Sequence, residues 1–154
     1  MPQAIKSPGH ASPSVAIVGA GRLGRALARA LRASGIAVEG PLGREAAPLG
    51  EIVVLCVPDA EISAAPARLG GARFVGHVSG ATPLSALDAA EAEAFGLHPL
   101  QTFAGGEGPE AFRGAGCAIA GTTPEALAVA RDLAERLGMA PIEISDAERP
   151  AYHA

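Results

Sequence analysis

Ten residues near the start of the chain constrain its fold more than any others. Val15-Ala16-Ile17-Val18 is a short apolar run that passes directly into Gly19-Ala20-Gly21-Arg22-Leu23-Gly24. Leu23, Leu27, Ala30 and Leu31 then recur at helical spacing, with Arg22, Arg25, Arg29 and Arg32 on the opposite face and Gly35 placed to close the helix. Ile36-Ala37-Val38 begins a second strand. The pattern G-x-G-x-x-G is weak by itself in a chain with 20 glycines. The strand before it and the amphipathic helix after it give it weight. Gly19 allows a tight turn, Gly21 lets the backbone approach a diphosphate, and Gly24 lets helix and sheet pack closely. The helix start then offers N–H groups and a partial positive charge to an anion. The plain alternative is a strand-to-helix turn that binds nothing.

The rest of the chain continues the alternation. Glu51 to Val57 is a nearly continuous β-branched run, as expected of a strand buried on both faces of a parallel sheet. A short helix is predicted around Ile62 to Leu69, followed by a strand at Phe74-Val75-Gly76-His77-Val78. Phe95-Gly96-Leu97, Cys117-Ala118-Ile119-Ala120 and Ile142-Glu143-Ile144 are further strand candidates. Pro124 to Leu137 predicts a helix with Thr123 as N-cap, Gly138 at its end, and a buried stripe of Leu127, Ala130, Ala134 and Leu137. Strands and helices in this order predict an α/β fold, a doubly wound, mostly parallel, Rossmann-like sheet. Residues 1–14, rich in proline, glycine and serine, read as a flexible arm, with His10 a solvated loop residue. Residues 15–145 read as the sheet domain. The glycine-rich stretch from Ala104 to Gly116 is either a lid over the site or a surface connection.

Composition narrows the partners. A chain of 154 residues suits one domain, and 49% hydrophobic with 18% charged residues excludes disorder for most of it. A net charge of −4 argues against nucleic acid or an anionic membrane surface as the partner. The apolar run Ile52 to Pro58 is far short of the ~20 residues a membrane helix needs, and no secretory core follows Lys6. Cys56 and Cys117 sit in strand-like runs with no disulfide spacing, so a reducing cytoplasm is the simplest compartment and Cys56 reads as an inert packed thiol. No two histidines or cysteines show ligand spacing, so no metal is expected. No G-x-x-x-x-G-K-[ST] occurs, which disfavours a nucleoside triphosphatase.

The expected ligand is a nicotinamide dinucleotide, held by Gly19, Ala20, Gly21, Arg22, Leu23 and Gly24. In an NAD site an acidic residue at the tip of the second strand holds the ribose hydroxyls. Glu39 is the acidic candidate here, but Gly40-Pro41 follow it and place it mid-strand. Arg44 lies where the chain leaves that strand, and a guanidinium fork suits a 2′-phosphate. The residues therefore favour NADP over NAD, with a solvated loop charge as the competing reading of Arg44. Arg22 either adds charge near the diphosphate or faces water. Ligands in such sheets sit outside the carboxyl ends of the strands, so Val57, Pro58 and Asp59 are expected to line the crevice. Ser79-Gly80-Ala81 ends the next strand on the same edge, which adds Ser79.

Val15 to Gly24, Leu55-Cys56-Val57-Pro58-Asp59, His77-Val78-Ser79-Gly80-Ala81, Leu97-His98-Pro99-Leu100-Gln101-Thr102-Phe103 and Arg149-Pro150-Ala151-Tyr152-His153-Ala154 together resemble one bacterial family. Its members are Rossmann-like proteins assigned as oxidoreductases, with a C-terminal helical domain of unknown function. The wider superfamily it resembles includes 6-phosphogluconate dehydrogenase, pyrroline-5-carboxylate reductase, prephenate dehydrogenase and ketopantoate reductase. The resemblance implies hydride transfer to or from a small carbonyl, imine or hydroxy acid. It also implies that residues 146–154 begin a linker helix to a helical domain absent from this chain, which would complete the substrate pocket and a homodimer. His98 is the catalytic candidate, on a stretch that similar enzymes place near substrate and with a titration range suited to proton handling. The alternative for His98 is a loop-fixing hydrogen bond. From a different class, a nucleotide sensor without turnover fits the same residues.

Overall fold

Four aliphatic residues in a row have no polar face to offer water, so Val15–Val18 forms a strand buried on both sides, β1. The computed structural model describes residues 14–43, 45–65, 69, 71–102 and 108–148. After β1 come α1 (Arg22–Ala33), β2 (Val38–Leu42), β3 (Ile52–Leu55), the one-turn α2 (Asp59–Ile62) and β4 (Phe74–His77). A 3-10 turn at Leu84–Ala90 leads to β5 (Glu93–Pro99), and another at Pro109–Phe112 to β6 (Gly116–Gly121), α3 (Pro124–Arg136) and β7 (Ala140–Glu143). These seven strands form one sheet in the order β2-β1-β3-β4-β5-β6-β7. The first five are parallel, β6 runs antiparallel to β5, and β7 is parallel to β6.

Alternate residues feed two core layers. Val15, Ile17, Ile52, Val54, Phe95, Leu97 and Ile119 face α1 and α3, meeting Leu27, Leu31, Val129 and Leu133. Ala16, Val18, Val53, Leu55 and Val75 face the other side, against Ile62, Leu84 and Leu87. Helices and turns therefore cover both faces, as a doubly wound sheet requires. Both edge strands carry a proline, Pro41 in β2 and Pro141 in β7, which blunts the edges because proline cannot donate to an added strand.

Several elements sit differently from the sequence expectation. Where a helix is predicted from Ile62 to Leu69, α2 opens earlier, at Asp59, and closes at Ile62, and residues 66–68 of the expected stretch lie outside the described residues. Pro58 stops the strand and Asp59 and Glu61 suit the first helical turn. The second strand is Val38–Leu42 rather than one starting at Ile36, since its edge position tolerates Pro41. In α3 the buried stripe is Ala126, Val129, Ala130, Leu133 and Ala134, with Leu137 buried just beyond, while Leu127 is only half-buried at the rim beside Gly121. Between Ala104 and Gly116, residues 104–107 lie outside the described set, and Phe112 is fully buried in the layer containing α1. The arm at residues 1–13 and the end of the expected linker, 149–154, also lie outside it. At its last described residues, Ser145 N–H donates to Glu148 Oε1 and Glu148 N–H to Ser145 Oγ, the reciprocal pair that opens helices.

Candidate dinucleotide site

The sheet order reverses direction at β1: the chain goes from β1 to β2 on one side, then returns to β3 on the other. Outside the carboxyl ends of β1 and β3, where those connections diverge, a ligand crevice is expected. A cavity of about 400 Å³ opens there, lined by Gly19, Ala20, Gly21, Gly43, Cys56, Val57, Pro58 and Glu61. A larger depression of about 570 Å³ lies over the outer face of α3 and is crossed by the Arg131–Glu143 ion pair; it reaches the end of β7, which runs antiparallel to β1–β5, and so lies at the sheet edge opposite the glycine turn.

The three glycines of the turn differ in what surrounds them. Gly19 has φ +113° and lies pinned between neighbours: its N–H donates to Leu42 O at 2.8 Å, and a Cβ there would lie 2.1 Å from Cys56 O. No other residue type fits that turn without moving β3. At Gly24 a Cβ would lie 2.0 Å from Gly19 O, so the missing side chain lets α1 press on the turn. Gly21, with φ −78°, would meet nothing within 4 Å. The protein thus does not need glycine at 21 for its own packing; the empty space faces the cavity. Gly21 is also the N-cap of α1, with no side chain capping the helix and no acid in its first turn. Uncapped N–H groups, open space and a helix dipole at a switch point fit a diphosphate.

The expected site residues fall into three groups. Gly19, Ala20, Gly21, Val57 and Pro58 line the cavity together. Arg22, Leu23 and Gly24 form the first turn of α1, with Arg22 exposed, Leu23 half-buried and Gly24 buried. Asp59 is exposed, and neither it nor Ser79 lines the cavity. Ser79 is buried; its Oγ donates to Thr82 Oγ1 and accepts from the N–H groups of Ala81 and Thr82, fixing the turn after β4. Arg44 lies outside the described residues. Glu61 and Gly43 were missed by sequence reading. Gly43 directly follows β2, and only the corrected position of α2 brings Glu61 to the crevice.

His98 is not beyond a strand end but inside β5, opposite Ala118 of β6. It is half-buried, near the carboxyl end, and shares a sheet face with His77, whose register partner is Gly96. His77 is fully buried and its Nδ1 accepts from Ser79 N–H at 3.1 Å, the polar partner a strand histidine needs. Cys56 lies one residue past β3 and lines the cavity. Burial pushes the Cys56 thiol up to about 12. Burial pushes Cys117 to about 12 as well, with the His98 backbone N–H pulling the other way. Neither thiol is a nucleophile at neutral pH. Among the described residues no cluster of three or more histidine, cysteine or acidic groups is arranged for a metal, and no helix is long and apolar enough to cross a membrane.

No family model matches the chain, and no curated protein does. Solved structures do. A Bacteroides fragilis protein assigned as an NADP oxidoreductase superposes with a TM-score of 0.77 at 18% identity, over 92% of this chain and 64% of its own. Prephenate dehydrogenase from Aquifex aeolicus, solved with NAD+ and hydroxyphenyl propionate, gives 0.75 at 16% identity, over 92% of this chain and 63% of its own. An NADH-preferring ketol-acid reductoisomerase from an uncultured archaeon gives 0.73 at 18%, over 92% and 54%. This chain therefore spans less than two thirds of the length of each of these proteins. At such identities the likeness establishes the fold: a Rossmann-like α/β domain.

Proposed function

We propose that this chain is the nucleotide-binding part of an oxidoreductase that uses a nicotinamide dinucleotide, NADP rather than NAD, to reduce or oxidise a small carbonyl, imine or hydroxy acid. The observation that carries the reading is Gly21: a helix N-cap that nothing in the protein's own packing requires to be glycine, open to a cavity at the switch point. Structural neighbours described as using NADP, NAD+ or NADH support it at the level of fold.

When bound, the dinucleotide supplies the hydride acceptor or donor. The chain's residues do the rest. N–H groups at the start of α1 hold the diphosphate, with Arg22 adding positive charge. Val57 and Pro58 form an apolar wall that keeps water from the bound ring. Arg44, which follows Gly43 in sequence, pairs with a 2′-phosphate. Glu39 does not compete for that role: its Oε1 accepts from the N–H groups of Leu49 and Gly50 at 2.9 and 3.1 Å, level with Ala16 at the amino end of β1. His98 moves the proton to or from the substrate oxygen or nitrogen. A helical partner domain completes the substrate pocket and the dimer, as the family resemblance implies, and the cytoplasm is the compartment.

Fluorescence titration tests the reading: NADPH binds, more tightly than NADH, and Arg44→Asp reverses or abolishes that preference. No binding of either at millimolar nucleotide overturns it. That His98 does not line the cavity favours a second reading, a sensor of the nucleotide without turnover. NADPH oxidation by candidate keto acids, lost in His98→Asn with nucleotide affinity unchanged, decides for the enzyme.

A further inference from the structure

The crevice has one charged wall. Its described lining residues are glycine, alanine, cysteine, valine and proline, except for Glu61. Glu61 is the third residue of α2, half-buried, and shares the cavity with Gly43, the residue just past the tip of β2. That tip is where a Rossmann sheet ordinarily places the carboxylate that binds the adenosine ribose. Strand β2 has none there. Its own acid, Glu39, lies three residues short of Leu42 and ties down the segment before β3 through Leu49 and Gly50.

Resting on the dinucleotide reading above, we infer that Glu61 supplies from the opposite wall the carboxylate that β2 withholds. It accepts hydrogen bonds from the ribose hydroxyls and repels a phosphate placed on the same ribose, so it sets the margin between the two nucleotides. The carboxylate of Glu61 therefore limits how far any preference for the 2′-phosphate goes. A carboxylate within several ångströms of a phosphate, in a cavity partly shielded from water, changes binding by roughly fivefold to tenfold.

The test is the dissociation constant of NADH and of NADPH for the full chain and for Glu61→Gln and Glu61→Ala, at low and at high salt. In Glu61→Gln, NADPH tightens and NADH weakens, so that the ratio of their affinities moves toward NADPH by about fivefold to tenfold, and the NADPH gain shrinks at high salt. Glu61→Ala moves the ratio the same way and stands in should the glutamine variant not fold. An unchanged ratio in the variants that fold, with both nucleotides still bound, overturns the inference while leaving the dinucleotide reading intact. Wild-type protein that binds neither nucleotide overturns both.

Discussion

Two strand–turn–helix units, β1 into α1 and β6 into α3, lie in the same layer of the molecule and end their turns in opposite ways. The helix α3 closes its own start. Thr123 Oγ1 accepts from Ala126 N–H at 3.0 Å, Pro124 has no N–H to satisfy, and Glu125 complements the helix dipole. Thr123 is held in turn by donating to Glu93 Oε1 at 2.5 Å. The helix α1 does none of this. Its cap is Gly21, its first turn has no acid, and Arg22 places a cation where the dipole disfavours one. Because β6 is antiparallel to β5, the two helix starts also lie on opposite edges of the sheet. One end is finished by the chain and is architecture. The other is left without a side-chain cap, at the edge where ligands of such sheets bind.

Substitutions at the open end should separate packing from binding. Gly24→Ala carries the largest expected effect, because its Cβ would fall 2.0 Å from a backbone oxygen. Alanine's better helix propensity, about 1 kcal/mol, does not offset an overlap that the backbone must move to relieve. A loss of about 3 kcal/mol or more is expected in urea unfolding. Gly21→Asp should do the reverse. Its backbone angles suit any residue, its side chain has room, and a carboxylate there caps α1 as Thr123 caps α3. Stability should rise by about 0.5–1 kcal/mol while NADPH and NADH affinity falls by at least ~100-fold, since the cap occupies and repels the diphosphate. A Gly21→Asp protein that binds nucleotide normally would erase the distinction between the two helix starts. Thr123→Ala, at the closed end, should cost about 1 kcal/mol, read as a Tm lower by several degrees, and leave nucleotide affinity unchanged.

The sequence made the open end easier to read than the crevice around it. Val15–Val18, the three glycines and the 3.6-residue periodicity of α1 are local signals, and local chemistry decides them. The caps of α3 were legible for the same reason: Thr123, Pro124 and Gly138 each act within a few residues. What was not legible depends on neighbours distant in sequence. β5 extends through His98 because β6 pairs with it, which no property of residues 95–99 announces. Pro41 belongs to a strand only because β2 is an edge. Glu61 reaches the cavity only because Pro58 starts α2 three residues earlier than the apolar pattern around Ile62 indicated. Glu39 was correctly read as mid-strand, but its role in holding Leu49 and Gly50 needed the fold.

The two cysteines sharpen the same comparison at smaller scale, since Cys56 borders the open turn and Cys117 lies in β6 of the closed unit. Each thiol has its pKa raised to about 12, in both cases chiefly by burial. In the unfolded chain a thiol ionises near 8.5. Below that value both states are protonated and the thiols leave stability independent of pH. As pH rises from about 8.5 toward 12, the unfolded state releases protons that the folded state keeps, so stability falls. Urea midpoints measured from pH 7 to 10.5 should therefore decline above about 8.5, and the decline should lessen in the Cys56→Ala, Cys117→Ala double variant. At pH 8 a disulfide reagent should react slowly with both thiols of the native protein and rapidly with both after unfolding. The two units should still differ in one respect. Saturating NADPH should slow the reaction of Cys56, which lines the cavity, and leave Cys117 untouched. Equal protection of both would mean that nucleotide stabilises the whole domain rather than covering the crevice, and no protection of either would place it elsewhere.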